Sequence, residues 1–103
     1  MEKNTPFKLV SLLDYSDSQI NHLQVLNAQG GMVFMMALKK GQKLDTHLAP
    51  ENALVQILEG RVDFPVRGDQ HIMKAGDAML LEPGVEHAVV AVEDTKILLT
   101  KIK

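Results

Sequence analysis

The sequence predicts an all-β domain closed into a small barrel with a ligand-sized pocket. From about residue 32 onward, short apolar runs alternate with Gly, Pro or Asp turns, at intervals that suit a strand meander or Greek key and leave no room for crossover helices. The 103 residues, 46% of them hydrophobic, supply one core and one domain, 1–103.

Residues 1–6 read as a polar, loose tail ahead of the folded unit. The stretch from Ser16 to Leu26 reads two ways. Ser16 with Gln19 has the spacing of a capping box, and Ile20, Leu23 and Leu26 recur at three-residue steps, as in a short helix. The all-strand surroundings tip the balance toward a strand from Gln19 to Leu26.

The barrel core is expected over 32–103. Met32 to Leu38 is apolar on both faces, as in a strand covered on both sides, and Lys39-Lys40-Gly41-Gln42 turns the chain. Leu54 to Leu58 follows, ended by Glu59-Gly60. Val62, Phe64 and Val66 alternate with Arg61, Asp63, Pro65 and Arg67, which is period two. Pro65 cannot donate to a ladder, so its strand is expected at a sheet edge. Arg67-Gly68-Asp69-Gln70 reads as a hairpin loop. His71 to Lys74, Ala78 to Leu81, His87 to Val92 and Thr95 to Ile102 supply four more strands, for seven in about seventy residues.

Charge and composition exclude several partner classes. A formal net charge of -2 with no basic run argues against nucleic acid. There is no cysteine, so disulfides and thiolate metal sites are excluded and a reducing cytoplasm suits the chain. Lys8, Ser11 and Asp14 interrupt the N-terminal apolar stretch before it reaches signal-peptide length. The longest apolar run, Met32 to Leu38, is far too short to span a bilayer.

Two blocks carry the functional signal. Gly41 is followed by five residues and His47, with Gly60 thirteen positions beyond that histidine. Gly76, Gly84 and His87 form the second block, and fifteen residues separate Gly60 from Gly76. This pattern resembles the two motifs of small single-domain bacterial cupins: Gly, five residues, His, one, His, three, Glu, six, Gly; then Gly, five, Pro, one, Gly, two, His, three, Asn. The resemblance implies a double-stranded β-helix, or jelly-roll barrel, and a homodimer. Edge strands such as the one holding Pro65 would then need covering.

In metal-binding cupins the motif histidines and the glutamate converge on one divalent ion inside the barrel. Here Ala49 stands at the second histidine position, Ala53 at the glutamate position, Glu82 at the proline position with Pro83 displaced by one, and Ala91 at the terminal asparagine. His47 and His87 remain. Two imidazoles alone hold an ion poorly, so a site for Fe, Mn, Zn or Ni would need a carboxylate. Asp45 is the nearest by strand parity, and Glu51 or Glu82 is within reach from a loop.

The alternative is that His47 and His87 line a pocket and bond each other, a water or a ligand. Two charged imidazoles about 4 Å apart would repel by roughly 4 kcal/mol at an effective dielectric near 20. At least one is then neutral at pH 7 and able to act as a general base. By motif parity Ala49, Ala53, Val55 and Ala91 face inward, which predicts a cavity roomier and more apolar than a metal-loaded one. His22 and His71 read as surface or strand-end residues. The methionines after the initiator read as core or subunit-contact filler, and Lys39, Lys40, Lys101 and Lys103 as solvated charges.

The leading expectation is therefore a barrel that binds a small organic molecule through His47 and His87, as a sensor or a metal-free enzyme. A metal-dependent oxygenase, isomerase or decarboxylase is the second reading, and a structural module with a vestigial pocket the third.

Overall fold

Among residues 2–103, which the computed structural model describes, the chain forms a 3-10 turn at Leu9–Ser11 and nine strands. These are β1 (Asn21–Ala28), β2 (Gly31–Leu38), β3 (Lys43–His47), β4 (Asn52–Glu59), β5 (Arg61–Asp63), β6 (Ile72–Lys74), β7 (Ala78–Leu81), β8 (His87–Ala91) and β9 (Thr95–Ile102). They make a five-stranded sheet in the order β1-β2-β9-β4-β7 and a four-stranded sheet in the order β3-β8-β5-β6, antiparallel throughout. This is the expected all-β jelly roll.

Period-two patterning builds the core between the sheets. Ala53, Val55 and Ile57 on β4, Val62 on β5, Val89 and Ala91 on β8 and Ile97 on β9 are all buried there, together with Phe64. Complete burial of a valine or isoleucine contributes about 1.5–3 kcal/mol. β2 is covered on both faces, as its composition predicts. Leu38 joins the inner core, while Met35 and Ala37 are fully buried on the outer face. The segment ahead of β1 lies across that face. Lys96, which pairs with Ala37 across from β9, donates to the Val10 carbonyl and stands 5.1 Å from the centre of the Tyr15 ring.

Gly60 shows how tightly this end of the barrel closes. Its φ is +90°, and a Cβ there would stand 2.1 Å from the Asp94 carbonyl oxygen and 2.4 Å from Thr95 Oγ1. That hydroxyl is committed: it accepts the Arg61 N–H at 3.0 Å and donates to the Glu93 carbonyl at 2.8 Å. Only glycine satisfies both the angle and the space.

The Ser16 to Leu26 region is a strand, beginning at Asn21. Ser16 Oγ accepts the Ser18 N–H at 3.2 Å in a local turn, so the apparent capping box caps no helix. Leu23 and Val25 are half-buried between exposed His22, Gln24 and Leu26, and period two prevails because β2 offers a partner along the whole length. β3 has no counterpart in the sequence reading, for Leu44 is its only half-buried residue. Pro65 is not on an edge strand. β5 lies inside its sheet between β8 and β6 and ends at Asp63; Pro65 follows where regular pairing stops, its carbonyl accepting the Ala88 N–H at 3.0 Å. The strand expected through Val66 is thereby cut short. Arg67 and Gly68, with φ of 52° and 83°, form the expected hairpin turn, closed by two 2.9 Å bonds between Val66 and Asp69.

Candidate functional site

His47 and His87 meet because β3 and β8 are antiparallel neighbours with those residues in register. Leu44 pairs with Val89, so three steps along β3 match two along β8, which is a bulge at Asp45 and Thr46. The extra residue re-aims the chain and brings His47 to the face that Leu44 occupies. It also removes Asp45 from the site. Parity counted back from His47 would put the Asp45 carboxylate inward, whereas it is 90% exposed and lies 3.9 Å from Lys43 Nζ.

The two rings stand 4.2 Å apart, centre to centre, at 60°. Each is fixed through Nδ1: His47 on the Asp45 carbonyl at 2.8 Å and His87 on the Val85 carbonyl at 3.0 Å. A carbonyl only accepts, so both Nδ1 atoms carry hydrogen and, in the neutral rings, both Nε2 atoms are free acceptors. Phe64 stacks on His87 at 5.7 Å and 5°. Burial lowers the His87 pKa below its ordinary 6.5; the bond to Val85 opposes this, and the positive charges of His47 and Lys101 add to the lowering. His87 is therefore neutral at pH 7.

Two small chambers flank the rings. The outer one is walled by Ala49, Ala53, Leu81, Val85 and Leu99, with Glu51, Glu82 and Lys101 also lining it. The inner one lies among Leu44, Val55, Phe64, Val89 and Ile97. Each holds about 30 Å³, room for about two waters. The cavity is thus smaller than the alanines predict, because Leu81, Val85, Leu99 and Phe64 take up the space. Ala49, Ala53 and Val55 do line it. Ala91 does not: it pairs with Val62 four residues down β8 from His87 and is buried in the core.

The donor set does not fit a divalent ion. Each imidazole is oriented as a metal ligand would be, by a backbone carbonyl on its far nitrogen. A third ligand is lacking: Ala49 and Ala53 cannot coordinate, Asp45 faces solvent, and among the described residues no three His, Asp or Glu side chains converge. Glu51 and Glu82 line the chamber without joining the histidines.

Lys101 is the site residue that sequence reading missed. It lies on the inner face of β9 with Ile97 and Leu99, and its Cα partner on β4 is Ala53, the motif glutamate position. The signal was present as period two from Ile97, obscured by a lysine near the chain end that reads as solvated.

The chain matches the cupin domain family over residues 34–102. No curated protein matches it. A conserved protein of unknown function from Streptococcus pyogenes superposes with a TM-score of 0.92 at 24% identity, covering 100% of this chain and 90% of that one. A cupin 2 conserved barrel domain protein from Leptotrichia buccalis is 32% identical with a TM-score of 0.89, over 94% of this chain and 47% of its own length. KdgF from Halomonas sp. gives 0.76 at 19% identity, covering 88% and 87%. With both motif histidines facing each other at the mouth of a jelly-roll chamber and the family pattern running over most of its length, this chain belongs to the cupins.

Proposed function

We propose that this cupin barrel binds a small organic molecule beside His47 and His87, with the two imidazoles as its polar contacts. The observation that carries this reading is the pair of Nδ1 bonds to backbone carbonyls, which leaves two acceptor nitrogens at one cavity. Ala49, Ala53 and Val55 supply apolar wall, the usual company of a few oriented polar groups in a ligand site. A neutral His87 is suited to accept a proton if the ligand is turned over. The donor set gives a metal-dependent reaction no comparable support.

Thermal unfolding with metabolite-sized molecules tests the reading. At least one compound should stabilise the protein by about 2.7 kcal/mol at a hundred times its dissociation constant. The effect should vanish in the His47→Ala/His87→Ala double variant. Equal stabilisation of that variant, or stabilisation by metal ions alone, would overturn the proposal.

The absence of cysteine suits a reducing compartment such as the cytoplasm. We also propose that two copies associate through the outer face of the five-stranded sheet. Leu80 on the edge strand β7 is 80% exposed and Ile102 is 58% exposed, and with Leu54 they line a groove of about 340 Å³. An apolar patch at a sheet edge favours such pairing. Light scattering at micromolar concentration should return twice the 11.4 kDa of one chain, and the mass of a single chain would remove the dimer.

A further inference from the structure

Lys101 brings a positive charge to the chamber beside Ala53, the position at which the cupin motif carries glutamate. Its Cα pairs with Ala53 on β4, and its side chain lines the chamber that both histidines line. Among the described residues its ammonium forms no ion pair and no hydrogen bond; Nζ rests 5.7 Å from the centre of the Phe34 ring. The Lys101 ammonium is close enough to His87 to oppose its protonation. The polar groups thus divide by role. Lys101 is a charged donor, while His47 and His87 in their neutral form offer Nε2 only as acceptors.

A ligand complementary to that set carries an anionic oxygen for the ammonium and, beside it, a hydroxyl able to donate to an imidazole. The outer chamber, with space for about two waters, admits a carboxylate group and limits the rest of the ligand to a short chain lying toward the exposed His47. We propose that the pocket takes a small hydroxycarboxylate, its carboxylate on Lys101 and its hydroxyl on the Nε2 of His47 or His87. This rests on the small-molecule reading above and supplies its ligand class.

The four histidines make a built-in reporter, since His22 and His71 line neither chamber at the pair. Glycolate titrated into the full-length protein at constant pH should move the imidazole NMR signals of His47 and His87 and leave those of His22 and His71 in place. Acetate, which lacks the hydroxyl, should bind several-fold more weakly, as should ethylene glycol, which lacks the charge. Lys101→Met should weaken glycolate at least tenfold, and Lys101→Arg should restore most of it. Three results would each overturn the inference: equal binding by Lys101→Met, ethylene glycol as tight as glycolate, or inorganic phosphate as tight as glycolate. If no carboxylate moves the pair, yet a neutral compound stabilises the protein and loses its effect in the double histidine variant, the ligand class falls while the small-molecule reading stands.

Discussion

Lys96 and Lys101 sit five residues apart on β9, roughly 17 Å along the strand, and the two ends of the barrel treat the same side chain in opposite ways. Lys96 faces outward beneath the segment ahead of β1. It is 8% exposed, its ammonium taken up by the Val10 carbonyl and the Tyr15 ring, while the Tyr15 hydroxyl donates to Glu59. Lys101 faces inward, half-buried at the chamber, its ammonium 5.7 Å from the centre of the Phe34 ring and, among the described residues, without an ion pair or hydrogen bond. A buried cation persists when its surroundings satisfy it. Where a cation lines a cavity and its partners are left out, complementarity to something else is the physical reason to keep it there. The closed end therefore reads as structure and the open end as function.

The largest expected effect breaks this contrast directly. Lys96→Met removes a charge-assisted hydrogen bond and a cation–π contact, and should cost about 2 kcal/mol of unfolding free energy. Lys101→Met removes no hydrogen bond and only the longer contact with the Phe34 ring, so it should cost at most about 1 kcal/mol. Denaturant titration of both variants measures the pair. Equal losses would erase the distinction between the ends, and a loss at Lys101 above that at Lys96 would make Lys101 the structural residue.

Legibility in the sequence divides along the same line. β4 is readable because its burial repeats every two residues, β2 because an unbroken apolar run marks a strand covered on both faces, and Gly60 because its turn excludes a side chain. The pairing of His47 with His87 follows from motif spacing. β3 is not readable, since a mostly exposed strand carries no apolar period. Its bulge is equally silent, which is why parity counted from His47 gave Asp45 an inward place it does not have. The cavity volume depends on how far Leu81, Leu99 and Phe64 reach across the barrel, a property of packing that no list of alanines contains. Lys101 was legible by period but was outweighed by the general rule that lysines are solvated.

The smallest expected effect sharpens the contrast by reading the field inside the open end. His87 is held below its ordinary pKa of 6.5, chiefly by burial and in lesser part by the charges of His47 and Lys101. Between the folded and unfolded values the unfolded chain binds more protons, so stability rises with pH there. The contribution of His87 is unaffected above about pH 6.5, and stability falls as pH drops from there through the lower folded pKa. Lys101→Met deletes one of the repelling charges, so the His87 pKa should rise toward 6.5 and the acid-side loss should shrink. Lys96 sits at the far end of β9 and lines neither chamber, so Lys96→Met should leave the His87 titration where it was. NMR titration of the His87 ring in the three proteins measures this. A rise in neither variant would mean that the Lys101 charge is screened by water before it reaches the imidazole, and a rise in both would mean that the positive field is not particular to the open end.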